Sequence, residues 1–393
     1  MSIQRLEIEG FRSLQSVSWE PGPLNVLIGV NGSGKSNLLR ALQLLKSAAD
    51  GRLSESVRAA GGMVPLLWDG QANTIKFNLD LESENNIELT YELVMERLGQ
   101  SGAFRIGQES VYETDTKEKL LERTSTQAVT FARYKGKRNR VGLNIPPEEM
   151  NEDETLLAKL PSPDGTGVPW VGRFRRELAD YRIYHDVRVD SDSEMRRATV
   201  SRRDLRVDPD GSNLVSVLHT LYTNDRYFKD ELNTAMKAAF GDEFEELVFP
   251  PAEDGRIQLR LRWRSLHREQ SASDLSDGTL RFLFLLTVLA GSAGSNPPPL
   301  IAIDEPETGL HPSMLPLVAE YATDAARHTQ VIFTTHSPQF LNGFKGRADI
   351  TTIVESIEGK SRLRRLPEAE LSRWLEHYQL GDLILSGELE SIE

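Results

Sequence analysis

Leu24-Asn-Val-Leu-Ile28 runs directly into Gly29-Val-Asn-Gly-Ser-Gly-Lys-Ser36, and that junction decides the fold. The second stretch fits G-x-x-x-x-G-K-[ST], a glycine-rich loop whose backbone N–H groups turn towards phosphates. Its flanks agree with that reading. The apolar run before it is a short buried strand, and Leu38, Leu39, Ala41, Leu42 and Leu45 after it share one helical face. Strand, phosphate loop and helix in this order predict an α/β nucleotide-binding chain. Lys35 is expected at the β and γ phosphates and Ser36 on Mg²⁺. Asn31, Gly32, Ser33, Gly34 and Asn37 are expected along the phosphate chain, with the positive end of the helix behind them.

Far downstream, Leu300-Ile-Ala-Ile ends in Asp304-Glu305-Pro306-Glu307. Four apolar residues closed by acids describe a buried parallel strand that delivers carboxylates at its C-terminal end, where open α/β sheets bind ligands. Asp304 is the expected holder of Mg²⁺, directly or through water, and Glu305 the expected acceptor of the attacking water's proton. Glu307 reads as turn chemistry. Val331-Ile-Phe-Thr-Thr-His336 is a further strand that ends in a histidine. A helix length before the carboxylate strand comes Leu275-Ser276-Asp277-Gly278-Thr279. There Ser276 either caps a helix or joins the Gly278 backbone in an anion contact.

Between these anchors the pattern changes. From Thr74 the period is two: Ile75, Phe77, Leu79 and Leu81 alternate with polar residues, and Ile87, Leu89, Tyr91 and Leu93 repeat the pattern after Glu84-Asn-Asn. Two half-buried antiparallel strands joined by a turn are expected. Residues 97–245 are less regular, with a polar stretch from Pro146 to Pro169 and a helical segment from Leu214 to Phe240. They read as a mixed insertion between an N-terminal half, 1–96, and a C-terminal half, 246–393. Arg133, Lys135, Lys137, Arg138 and Arg140, with Tyr134 among them, suit either DNA phosphates or a solvated hairpin tip. Arg256, Arg260, Arg262 and Arg264 line one face of a strand, and ion pairing with Asp80, Glu82, Glu88 and Glu92 is the expected explanation. The pairs Arg196-Arg197 and Arg202-Arg203 fit either reading.

Composition removes whole classes. There is no cysteine, so disulfide scaffolds, thiolate zinc sites and cysteine nucleophiles are excluded. With 39% hydrophobic and 27% charged residues over 393 positions, the chain is globular in make-up and long enough for two or three units. Its longest nearly apolar run, Phe282 to Ala290, is shorter than the roughly 18 residues of a membrane span. No basic region followed by an apolar one opens the sequence, so no secretory signal, no membrane contact and a cytoplasmic location are expected. The net charge of −13 means that any DNA contact must come from a local patch.

The motifs together resemble ATP-binding-cassette ATPases. Leu275 to Thr279 is similar to their signature segment and Thr308-Gly-Leu-His311-Pro312 stands where they place a D-loop. His336 matches the histidine that contacts the γ-phosphate in that family. With Gly10-Phe-Arg12-Ser the pattern resembles the RecF, SMC and OLD branch, and Asp210-Gly-Ser-Asn213-Leu, the signature run through Arg281 and the run from Asp304 to Pro312 resemble the bacterial AAA family ATPases within it. This implies an ABC-type P-loop NTPase head with an antiparallel β subdomain, taking ATP and Mg²⁺. It further implies a homodimer closed around ATP, with Ser276 and Gly278 meeting the partner's nucleotide and Arg12 touching nucleotide unless it is a surface arginine. A role in DNA maintenance, or in a defence or toxin-type module with an effector partner, is the expectation. The ATPase subunit of a transporter and a non-hydrolysing ATP-gated scaffold are the alternatives. The stretch after His336 is shorter than a Toprim nuclease domain needs, and the Q-loop glutamine has only Gln71 and Gln108 as candidates.

Overall fold

Alternating side chains build the larger of the protein's sheets. A computed structural model of the chain describes residues 2–82, 88–99, 102–124, 127–133, 140–146, 151–159, 169–252, 255–294, 296–345 and 347–365. It divides into two compact units. The first comprises residues 1–23, 29–181 and 352–364; the second comprises 24–28, 182–351 and the remainder.

In the first unit, β1 (Ser2–Phe11), β2 (Leu14–Trp19), β4 (Thr74–Glu82), β5 (Glu88–Arg97), β6 (Phe104–Glu113), β7 (Lys119–Thr124), β8 (Ala128–Arg133) and β9 (Arg140–Ile145) form one sheet. Its order is β2-β1-β4-β5-β6-β7-β8-β9, antiparallel throughout. The two strands expected from period two are β4 and β5, with Leu79 opposite Tyr91 and Leu81 opposite Leu89. Ile75, Phe77, Leu79 and Leu81 are buried, as are Leu89, Tyr91 and Leu93; Ile87 and the Glu84-Asn-Asn turn lie outside the described residues. The helix after the phosphate loop is α1 (Lys35–Asp50), and it buries Leu38, Leu39, Ala41, Leu42 and Leu45. It packs against α2 (Leu53–Ala59), α3 (Leu156–Lys159) and α4 (Pro169–Ala179). Tyr91 meets Phe174 of α4 with ring centroids 5.7 Å apart, which ties sheet to helix. The hairpin strands β18 (Thr351–Ile357) and β19 (Lys360–Arg365) are neighbours, and residues 352–364 of them belong to this unit.

The expected insertion, 97–245, does not stand apart. An antiparallel sheet edge offers unpaired N–H and C=O groups, and the chain uses them at once: β6 to β9 extend the sheet that β1 begins. The polar stretch after it is tied down by two buried side chains. Glu109 accepts hydrogen bonds from Leu156 N (2.6 Å), Leu157 N (2.9 Å) and the Tyr91 hydroxyl (3.2 Å). Arg123 donates to the carbonyls of Glu154 (2.5 Å) and Asn151 (2.6 Å). Burial pushes the Glu109 carboxyl above its ordinary value, and the two backbone N–H groups hold it back.

The second unit takes over at Arg182. Its parallel strands β10 (Arg182–Tyr184), β16 (Leu300–Asp304), β17 (Gln330–Thr335) and β3 (Leu24–Ile28) lie in the order β10-β16-β17-β3. All residues of β16, β17 and β3 are buried, as near-continuous apolar runs require. The helical segment expected from Leu214 is two helices, α5 (Leu214–Asn224) and α6 (Arg226–Phe240), with Asp225 capping the second. With α7 (Asp277–Ala290), α8 (Leu315–Ala325) and α9 (Pro338–Asn342) they supply the helices of this unit. Tyr184 packs edge-on against Phe284 of α7 at 5.2 Å. β11 (Thr199–Val200) pairs with β13 (Arg256–Ile257), and β12 (Phe244–Val248), β14 (Arg260–Trp263) and β15 (Gln270–Ser271) make a small sheet.

That small sheet corrects the expected partners of the arginine row. Arg262 stands opposite Glu246 and pairs with it and with Glu269, and Arg260 lies 3.7 Å from Glu269. Asp80 and Glu92 belong to the other unit, where they take hydroxyls of Thr90, Ser110 and Tyr112. No helix among the described residues is long and apolar enough to cross a membrane.

Candidate functional site

The phosphate loop is shaped by its glycines and braced from behind. Gly34 caps α1 at φ +103°, and a Cβ there would sit 1.9 Å from Ser361 Oγ and 2.5 Å from Ser13 Oγ. Only glycine fits both the backbone angle and the space. Those two serines hold each other at 2.7 Å; Ser13 Oγ also accepts from Asn37 Nδ2 (2.8 Å), and Ser361 Oγ donates to Ser33 O (2.6 Å). Ser13, from the turn after β1, thereby fastens the start of α1, and Asn37 is spent on that brace.

Inside the loop, Lys35 is buried and its Nζ donates to the carbonyls of Gly29 (2.8 Å) and Val30 (3.0 Å). Ser33 is fully buried, and its Oγ has no hydrogen-bond partner among the described residues. Asn31 and Gly32 form the exposed tip, and Ser36 is half-buried at the second position of α1. A held ammonium, a buried hydroxyl left unpaired and a helix N-terminus fit a phosphate chain. Arg12 adopts φ +47° and donates its N–H to Leu66 O (2.8 Å); its buried Nε has no hydrogen-bond partner among the described residues. Burial, with the neighbouring Arg40 guanidinium, pushes Arg12 below its ordinary pKa.

The acids and the histidine gather in the second unit because three parallel strands end level. Asp304 pairs in register with Thr334, and Ile28, the residue before the phosphate loop, pairs with Thr335. The Thr334 hydroxyl donates to Asp304 Oδ1. Glu305 sits at φ +47°, a left-handed conformation costly for a residue with a side chain. Three bonds fix the backbone of that residue: its N–H donates to Thr334 O (2.9 Å), and its carbonyl accepts from Arg281 Nη2 (3.0 Å) and Thr308 N (3.2 Å). The Glu305 carboxylate then meets His336 Nδ1 at 3.3 Å. Both side chains are part-exposed, so the pair is open to solvent.

Glu307, read from sequence as turn chemistry, secures the histidine. It accepts from the Thr335 hydroxyl (2.5 Å) and from His336 N (3.1 Å). Arg281 is buried below its ordinary pKa, an effect opposed by the carboxylates of Glu307, Glu305 and Asp304. Neither Arg281 nor Glu307 carries a periodic or spacing signal. Their partners lie 24 and 28 residues away, and only folding joins them.

The signature segment starts α7, where Ser276 caps the helix by accepting from Thr279 N at 3.1 Å. Gly278 has a steric reason to be glycine, since a Cβ would lie 2.6 Å from Gly309 O. His311 caps the short turn after it through Ser313. Arg196 is wired into this segment: it donates to the carbonyls of Ala272 (3.1 Å), Ser273 (3.3 Å) and Leu275 (2.7 Å), and it pairs with Asp277. It is therefore no free DNA contact. Gln71 and Gln108 are both exposed, on a short turn and on β6. Arg133 and Arg140 are paired register positions of β8 and β9, while Tyr134, Lys135, Lys137 and Arg138 lie outside the described residues.

A protein-family model described as "AAA domain, putative AbiEii toxin, Type IV TA system" matches residues 24–342. The chain belongs to this family. It is also 37% identical over 91 residues to the DNA replication and repair protein RecF of Shewanella piezotolerans, covering 23% of this chain and 24% of that protein. RecF of Bifidobacterium adolescentis is 31% identical over 118 residues, covering 29% and 27%. The chain thus spans only about a quarter of these relatives' length. Among solved structures, the Smc head bound to the C-winged helix domain of ScpA superposes with a TM-score of 0.58 at 14% identity, covering 94% of this chain and 99% of that one. The Smc head with an extended coiled coil, bound to the C-terminal domain of ScpA derived from Pyrococcus furiosus, gives 0.56 at 13% identity, covering 95% and 98%. The fold of this family member is that of an SMC-type P-loop ATPase head, as its motifs imply.

Proposed function

We propose that the chain binds ATP with Mg²⁺ and hydrolyses it, and that ATP joins two copies whose separation follows hydrolysis. The observation that carries this is the level ending of β3, β16 and β17, which puts Asp304, Glu305 and His336 at the sheet edge from which the phosphate loop departs. Lys35, Ser33 and the α1 N-terminus bind phosphate oxygens. Ser36 and Asp304 hold Mg²⁺, which when bound neutralises phosphate charge. Glu305 takes the proton of the attacking water, and His336, kept in place by Glu307, orients it. Ser276 and Gly278 at the N-terminus of α7 meet the nucleotide of the second copy.

DNA maintenance is the biological setting we infer, supported by the RecF likeness. The family description, with its toxin term, supports a defence or toxin-type module with an effector partner as the second reading. Steady-state ATP turnover with and without double-stranded DNA at low salt tests both, with Glu305→Gln as the blank. Turnover that DNA stimulates is expected. Turnover indifferent to DNA favours the effector reading, and ATP binding with no turnover above the blank rejects hydrolysis in favour of a scaffold.

A further inference from the structure

Asp304 is the last residue of β16, and a carboxylate at a strand end is free to turn unless neighbours hold it. The flanking strand on one side, β17, supplies Thr334 to Oδ1. On the other side β10 runs parallel with Tyr184 opposite Ile303, so the next residues, His185 and Asp304, leave the sheet side by side. His185 Nδ1 lies 2.5 Å from Asp304 Oδ2, and the two side chains are only 15% and 10% exposed. No sequence motif contains His185.

We propose that His185 is a positioning residue for Asp304, fixing the orientation in which that carboxylate takes a divalent cation. The proposal rests on the reading of Asp304 as a metal ligand. Nδ1 is buried, makes no regular hydrogen bond among the described residues and has Oδ2 at contact distance, so the ring limits how the carboxylate can turn. Lysine or arginine at 185 would place a full positive charge beside the ion and repel it. Thr334 and His185 then stand against one oxygen each from opposite sides. Partners of ligating carboxylates typically contribute 10–100-fold to metal affinity.

The test is an electron paramagnetic resonance titration of Mn²⁺ into the full chain carrying ATPγS, comparing wild type, His185→Leu, His185→Asn and Asp304→Asn. Asparagine places an amide N–H near the position of Nδ1, whereas leucine offers no donor. His185→Leu is expected to weaken Mn²⁺ by about 10–100-fold, His185→Asn to restore most of the loss, and ATPγS binding without metal to stay at the wild-type level in both. Retained ATPγS binding also shows that each variant is folded. Wild-type Mn²⁺ affinity in His185→Leu overturns the proposal, as does a His185→Asn protein no better than the leucine variant. Wild-type affinity in Asp304→Asn is a different failure: it removes Asp304 from the metal and the reading of the site with it.

Discussion

Replacing Arg196 by methionine separates the signature loop from the rest of the site. The guanidinium serves six acceptors: Nε donates to the carbonyls of Val189 (3.0 Å) and Asp190 (2.9 Å), Nη1 to Ala272, Ser273 and Leu275, and Nη2 to Asp277. A charged hydrogen bond contributes about 1.5–3 kcal/mol, but shared and bifurcated bonds do not add. Asp277 is 63% exposed, so the ion pair itself adds little, and leaving the part-buried carbonyls short of a donor, at about 1–3 kcal/mol, is the better figure. For a unit of this size that corresponds to a fall of roughly 2–12 °C in the unfolding midpoint. Freed of Arg196, residues 272–277 drift, and a displacement of about 1 Å in a positioning element costs on the order of 100-fold in rate. The phosphate loop contains no partner of Arg196, so ATP affinity is expected to hold while turnover collapses. Calorimetry, equilibrium binding of a fluorescent ATP analogue and steady-state hydrolysis read the three quantities separately. Arg196→Lys keeps the charge on Asp277 but cannot span the carbonyls, and it should fall between the two. An Arg196→Met protein that hydrolyses ATP at the wild-type rate would refute this reasoning.

Three more perturbations probe other parts. Lys35→Ala removes the buried ammonium of the phosphate loop, and nucleotide binding measured by calorimetry is expected to disappear while the fold, seen by circular dichroism, persists. Gly278→Ala places a methyl 2.6 Å from Gly309 O, so α7 or the D-loop must shift; about 1–3 kcal/mol of stability and most of the turnover should be lost together. Glu109 tests linkage. Its carboxyl titrates above the ordinary 4.5 in the folded protein, so the stability it confers is greatest in acid and declines as pH rises from that value upward. Glu109→Gln should flatten this slope in urea unfolding at several pH values. It should also destabilise at all of them by about 1–3 kcal/mol, because Oε1 and Oε2 each accept a backbone N–H and an amide group can replace only one.

What the sequence makes legible is whatever is local or periodic. The junction at Ile28 and Gly29 is read correctly because strand, loop and helix follow one another without interruption. The pair β4 and β5 is legible because one face of each is buried. Ser276 is legible as a helix cap for the same local reason. The residues that aim the chemistry are different in kind. Arg281 reaches a carbonyl 24 residues on, and Arg196 reaches a loop 76 to 81 residues on. A charged residue gives no periodic sign of whether it will be buried, so Arg196 looks in sequence like Arg202, which is exposed. The arginine row misled in the same way: its alternation is real, but the acids it meets are set by which sheet β14 joins.

The boundary at Tyr181 and Arg182 is the most consequential departure from the sequence reading, because of what the segment after it does. Residues 182–196 read as part of an irregular insertion. In the fold they begin as β10, an edge strand of the parallel sheet, and end at Arg196. One end of this segment brings His185 to Asp304, and the other grips the signature loop. Between them the carbonyl of Val187 lies 3.4 Å from Arg281 Nη1, on the same guanidinium that holds Glu305. A single short stretch therefore touches the expected metal ligand, the helix that presents Ser276 and Gly278, and the arginine that fixes the proposed general base. A displacement of that stretch moves all three at once, so mutations along it should couple, with double-mutant energies between His185 and Arg196 departing from additivity although the two side chains share no partner. Strict additivity there would mean that each residue acts on its own loop alone.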